Sequence, residues 1–264
     1  ALAQISAFRL VKRCGKNILV ARDTRLAMDN AARWLRIKRG SLNADPYYTF
    51  DMIMDASERH NLQSTFFFAT DHTAPNFDVA YPIDHRSIRL LLRTIHQRGH
   101  AIGLHPSYNT FQDAAQTGKE FDRLKEICES EGIHPSRWGS RQHYLRWETP
   151  TTLQNLDEAG LDYDSTLSFA DIAGFRCGVC YEFPAFNLLT RRQLRLRERP
   201  LIVMECTVLD ERYMNLGANH DAALQTILTY KERCRLFNGS FTLLWHNTRL
   251  IEECEMALYQ QVLA

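Results

Sequence analysis

The chain has 264 residues, 45% of them hydrophobic and 24% charged, with a formal net charge of +1. That composition belongs to a globular protein with a sizeable core, and it excludes a strong electrostatic pull toward nucleic acid or an anionic membrane. No run reaches the roughly 18 apolar residues that a membrane span needs, and no signal-peptide pattern is visible.

From the amino terminus, residues 1–45 are basic and helix-favouring, with Phe8-Arg9-Leu10-Val11-Lys12 followed by a helical stretch over Thr24–Ile37. Gly40 to Pro46 breaks that pattern. The spacing of Met52, Ile53 and Ala56 predicts a helix over Phe50–Arg59. Ser64–Ala69, with Phe66-Phe67-Phe68 at its centre, predicts a strand buried on both faces. An amphipathic helix over Ser87–Arg98 then leads to a short apolar strand at Ala101–Leu104. Helices are expected at 117–130, at 150–159 with a stop at Gly160, and near 221–235. Further strands are expected near 137–140, at Leu201–Cys206 and at Phe241–Trp245. The basic run Arg191-Arg192, Arg195, Arg197 and Arg199 reads as a solvated loop or hairpin face. Helix and strand alternating at this pace predict a single parallel β/α domain of barrel type.

Seven cysteines, Cys14, Cys128, Cys177, Cys180, Cys206, Cys234 and Cys254, are odd in number and irregularly spaced. They do not form the framework of a small secreted domain, and the expected compartment is reducing and cytoplasmic. Cys177-Gly178-Val179-Cys180 has zinc-knuckle or redox spacing, but it is a single pair and is expected to be structural.

The most informative stretch is Gly99-His100-Ala101-Ile102-Gly103-Leu104-His105-Pro106-Ser107-Tyr108-Asn109. It sets His105 at the carboxyl end of a buried strand, where chemistry collects in alternating β/α folds. Asn109, four residues on, offers a second N/O ligand for a divalent metal, or equally the cap of a turn. Arg141 and His246 each follow a predicted strand. Glu205 lies at the end of another, and Tyr144, Trp147 and Phe175 could form either a sugar-stacking wall or part of the core.

Thr65-Phe66-Phe67-Phe68, Gly99 to His105, Arg141 after a strand, and Leu243-Leu244-Trp245-His246 occur in an order that resembles the polysaccharide deacetylase (NodB-homology) carbohydrate esterases. The likeness is strongest to a divergent branch found with bacterial surface-polysaccharide synthesis, and it covers most of residues 45–250. It implies a distorted (β/α) barrel with fewer than eight repeats, preceded by a helical segment over 1–45. It further implies a metal-dependent hydrolase that removes acetyl groups from a carbohydrate, with a divalent ion, zinc in the first instance. His105 matches the first histidine ligand, and Asn109 stands where the second histidine would be. Arg141 matches the arginine that orients the base, and His246 matches the catalytic acid. Tyr144, Trp147, Arg176 and Glu205 are the implied substrate contacts. Arg141 departs from the family pattern in being followed by Gln142-His143-Tyr144-Leu145-Arg146-Trp147 in place of a proline-rich sequence. The family's aspartate-bearing strand is expected upstream of Ala1, which would leave the strand at Thr65–Ala69 without a neighbour on one side and the chain as given, lacking a base carboxylate, with little or no hydrolytic activity. Asp51, inside a predicted helix, is not expected to replace it. The alternative is a catalytically silent relative that binds a sugar or nucleotide-sugar without hydrolysis.

Overall fold

The three phenylalanines at 66–68 form a strand, as an apolar run too short for a helix should. In the computed structural model of the chain, which describes residues 24–39, 44–78 and 81–264, this is β1 (Thr65–Phe68). The expectations for Phe8–Lys12 and for Cys14 lie outside the described residues. After β1 come β2 (Ala101–Leu104), β3 (Gly139–Ser140), β4 (Tyr163–Asp164), β5 (Phe183–Asn187) and β6 (Arg192–Glu198). They form a six-stranded sheet in the order β1-β2-β3-β4-β6-β5. Every pairing is parallel except the antiparallel β5–β6 hairpin, which carries the basic run. A separate parallel pair joins β7 (Val203–Met204) to β8 (Leu243–Leu244). Among the described residues β1 pairs with β2 alone.

The described helices are α1 (Thr24–Lys38), α2 (Phe50–Arg59), α3 (Arg86–Gln97), α4 (Ala114–Ser130), α5 (Thr151–Ala159), α6 (Glu205–Leu209), α7 (His220–Leu236) and α8 (Glu253–Leu263). This is the expected α/β class, with helices alternating with a largely parallel sheet. None of the helices is long and apolar enough to cross a membrane, among the described residues.

The described residues divide into two compact units, one holding those up to Arg59 together with His246–Leu263, the other holding His60–Trp245. In the first, α2 packs with α8. Thr49 Oγ1 donates to the Asn247 carbonyl at 3.0 Å, and Asn247 Nδ2 donates to the Tyr47 carbonyl at 3.1 Å. These long-range bonds tie residues 47–49 to Asn247 within the first unit. Asp51 sits in the first turn of α2, as expected.

In the second unit, α3 buries Leu91, Leu92 and Ile95, a helical stripe whose members contribute about 1.5–3 kcal/mol each when fully buried. Gly99, at φ +77°, reverses the chain from this helix into β2 at a conformation that costs glycine little. Asp113 caps α4 by accepting from the Gln116 amide at 2.9 Å, and that helix buries Phe121, Leu124 and Ile127.

Parallel register places two rows of residues across the strands. One runs Phe67, Gly103, Gly139 and Tyr163; the next runs Phe68, Leu104, Ser140, Asp164 and Glu198. The two glycines make room for aromatic rings. A Cβ on Gly139 would lie 2.1 Å from the Tyr163 ring, and one on Gly103 would lie 2.7 Å from the ring of Phe67. Gly139→Ala is therefore expected to destabilise the protein by about 1–3 kcal/mol through overpacking, measured as a lower urea midpoint at unchanged slope.

Candidate functional site

The site forms where β2 and β3 end. The His105 amide donates to the Phe68 carbonyl at 2.8 Å, and the Arg141 amide donates to Leu104 at 3.0 Å, so the ladder continues one step past each strand. That register brings the Arg141 carbonyl to His105 Nδ1 at 2.5 Å. A carbonyl can only accept, so Nδ1 carries the proton and the lone pair of the neutral ring is at Nε2. A backbone carbonyl on the far nitrogen is the usual partner of a metal-ligating histidine, so His105 fits the ligand role.

Among the described residues, Arg141 reaches His105 through this carbonyl. Its side chain is buried, with Nε and Nη2 donating to the Ser165 carbonyl and hydroxyl at 2.9 Å each and the guanidinium lying 4.7 Å from the centre of the Phe67 ring. Burial lowers its pKa to about 10, against the opposing charge of Asp164 and other acidic neighbours. Asp164 accepts from Ser140 Oγ at 2.6 Å and from the Thr166 hydroxyl and amide at 2.9 and 3.0 Å. Burial nevertheless raises its pKa, and it raises that of neighbouring Glu198 well above the ordinary value.

Two carboxylates fix the loops around His105. Glu120, buried on α4, accepts from the Ser107 amide at 2.9 Å, from the Ser107 and Thr110 hydroxyls, and from Gln116 Nε2 at 2.8 Å, which holds residues 107–110 in place. Asp78, whose side chain is only 2% exposed, accepts at 2.8 Å from each of the amides of Thr73, Ala74 and Tyr108 and at 2.7 Å from His143 Nδ1. Burial works to raise the Asp78 pKa, but the Ala74 amide, His143 and the amides of Tyr108 and Thr73 outweigh it and hold the carboxyl below its ordinary value. The His143 ring stands 5.0 Å from that of His105, centre to centre.

Beyond His143 the backbone is left-handed at Tyr144 (φ 58°) and Leu145 (φ 51°), which turns Tyr144 outward to 63% exposure. Tyr144 packs edge-on against Phe77 and Tyr108, with ring centres 5.7 and 5.4 Å away, and those two stack on each other at 4.3 Å. The Arg146 guanidinium lies 4.0 Å from the ring centres of both Tyr108 and Phe111.

Several sequence expectations change here. The Asn109 amide braces the loop, with Nδ2 donating to the Thr73 carbonyl at 3.3 Å and Oδ1 accepting from Arg146 at 3.1 Å. A guanidinium on that oxygen opposes a second cation there. The expected aromatic wall divides. Tyr144 joins Phe77 and Tyr108, Phe175 pairs with Tyr230 at 5.8 Å, and Trp147 has the Arg176 guanidinium 5.7 Å from its ring centre. Arg176 also donates to the Ser168 carbonyl at 2.8 Å. Glu205 does not end a strand. It begins α6, fully buried, and accepts from the Cys206 thiol at 3.3 Å. His246 follows β8 and belongs to the first unit. In the Cys177–Cys180 pair, burial pushes the Cys177 thiol up to about 12, and Cys180 hydrogen-bonds with Cys234, whose own thiol is pushed up to about 12. Thiols raised in this way are poor nucleophiles, which makes Cys177 and Cys234 unreactive.

Asp78, Glu120 and the His143 imidazole are the site residues that sequence reasoning missed. His143 lies in the segment that departs from the family pattern, a signal that could have found it. Asp78 carries no such signal, because its partners are backbone amides from two loops. A carboxyl whose folded pKa is depressed contributes stability that is complete above its unfolded pKa and is lost as pH falls through the folded one. Asp78→Asn is accordingly expected to cost about 1–3 kcal/mol at pH 7. It should also flatten the loss of stability of the parent below about pH 4, measured as urea midpoints across the acid range.

No known family model and no curated protein sequence matches the chain. Solved structures do. One is described as a putative polysaccharide deacetylase from Mycobacterium smegmatis, with a TM-score of 0.57 at 18% identity over 99% of this chain and 79% of that one. Another is PuuE allantoinase, with a TM-score of 0.53 at 14% identity over 80% of this chain and 63% of that one. At such identities the fold is what is shared, and the chain has the α/β architecture of these deacetylase and allantoinase structures.

Proposed function

We propose that the chain is a hydrolase of the deacetylase and amidohydrolase kind, which uses a divalent metal ion, zinc in the first instance, to release acetate from an N- or O-acetylated carbohydrate. The observation that carries this reading is the bond from His105 Nδ1 to the Arg141 carbonyl, at strand ends of a fold shared with structures named as a deacetylase and an allantoinase. A bound ion would supply Lewis-acid polarisation of the acyl oxygen and a more acidic water.

The chain's own residues do the rest. Arg141, through its carbonyl, sets the tautomer and the ring orientation of His105. Glu120 and Asp78 hold the two loops so that this geometry is present before substrate arrives. The exposed rings of Phe77 and Tyr144 offer apolar surface to the C–H face of a sugar ring, and Arg146, which covers Tyr108 beside them, offers donors to its hydroxyls. Asp78 is unsuited to be the base, because five donors already occupy its two oxygens. His246, two residues past the end of β8, is proposed as the acid that protonates the leaving nitrogen or oxygen, a role that rests on its place in the chain.

The test is acetate release from acetylated chito-oligosaccharides and acetylated xylan. Release is expected to stop on chelation and return with zinc. His246→Ala should keep its metal and lose rate by roughly 10²–10⁴-fold. Sugar binding by calorimetry with no acetate released from any substrate would replace this proposal with the silent-binder reading.

A further inference from the structure

We infer that His143 is the second imidazole ligand of the metal ion, taking with His105 the place that Asn109 holds in the sequence pattern. The inference rests on the proposed metal-dependent reading and deepens it. Three observations converge on the pair.

The first is that both rings are anchored through Nδ1. His105 donates to the Arg141 carbonyl at 2.5 Å, and His143 donates to Asp78 Oδ1 at 2.7 Å. In the neutral form of either ring the lone pair is then at Nε2. A carbonyl behind one imidazole and a carboxylate behind the other are the two commonest outer partners of metal-bound histidines. Asp78 is itself fixed by three backbone amides, so it presents His143 in one orientation.

The second is the separation of the rings. Zinc–nitrogen bonds of about 2.0–2.1 Å at tetrahedral angles put the centres of two Nε2-bound imidazoles roughly 5 Å apart. The observed separation is 5.0 Å, with the ring planes inclined at 61°.

The third is the backbone. Two consecutive non-glycine residues, Tyr144 and Leu145, are left-handed directly after His143. Such conformations cost of order 1–3 kcal/mol each and persist where the surroundings enforce them. Here they let one short segment deliver His143 beside His105 while Tyr144 joins the aromatic cluster. Asn109, by contrast, has its amide oxygen on Arg146.

The experiment titrates Co²⁺ and Zn²⁺ into the metal-free parent chain and into His105→Ala, His143→Gln, Asp78→Asn and Asn109→Ala, after circular dichroism has shown each to be folded. Affinity and the visible Co²⁺ spectrum are the readouts. His105→Ala and His143→Gln should each weaken binding by about 100-fold or more, and Asp78→Asn by the roughly 10- to 100-fold of an outer-partner loss. Asn109→Ala should leave binding unchanged. Zinc-edge X-ray absorption should count two imidazoles in the parent and one in His143→Gln, which keeps the claim testable even if a histidine variant folds poorly. Full metal binding in His143→Gln, loss of binding in Asn109→Ala alone, or no binding by the parent up to about 1 mM metal would each overturn the assignment. Acetate release that persists with metal intact in His143→Gln removes the ligand assignment and leaves the proposed function standing. A parent that binds metal through both histidines yet releases no acetate does the reverse.

Discussion

The hydrogen bond between His105 Nδ1 and the Arg141 carbonyl is the constraint on which the site depends. It exists because β2 and β3 run parallel in a register that pairs Leu104 with Ser140, so the residue after each strand falls beside the other. Gly103 and Gly139 hold that register by admitting the rings of Phe67 and Tyr163, which no larger residue at either position would allow. The packing of one row of the sheet thus decides the tautomer of an imidazole one step further along.

Around that bond, carboxylates do structural work that is easily mistaken for catalysis. Glu120 and Asp78 are surrounded by donors and hold the loops at 73–78 and 107–110. Asp164 and Glu198 lie buried in the adjacent row, where loss of water disfavours their charged forms and Arg141 supplies the compensating charge. Removing the Arg141 side chain would leave those acids without that charge as well as disturb the carbonyl behind His105. A large loss of activity in an Arg141 variant would therefore not by itself identify a catalytic guanidinium.

The alternation of helix and strand was legible because it depends on local periodicity. The Phe66–Phe68 strand, the Gly99 turn into β2 and the Gly160 stop all stand where propensity and apolar spacing put them. Glu205 was misread because the apolar run at 201–206 gives way to a helix two residues early, a boundary that no local pattern marks. The aromatic cluster was less legible for a different reason. Tyr144, Trp147 and Phe175 are near in sequence, but Phe77 and Tyr108 reach Tyr144 only through loops set by tertiary hydrogen bonds. The His105 position was readable as the end of a strand. The pairing of His143 with Asp78 joins residues 65 apart in sequence, and no spacing rule reaches that far.

The most direct test of this account is anomalous diffraction at the zinc edge from crystals of the chain soaked in a zinc salt. The account predicts one strong peak within about 2.2 Å of Nε2 of both His105 and His143, with Asn109 still bonded to Arg146. A peak bound through the Asn109 amide oxygen, or a fully occupied zinc site elsewhere with the two imidazoles left bare, would contradict it.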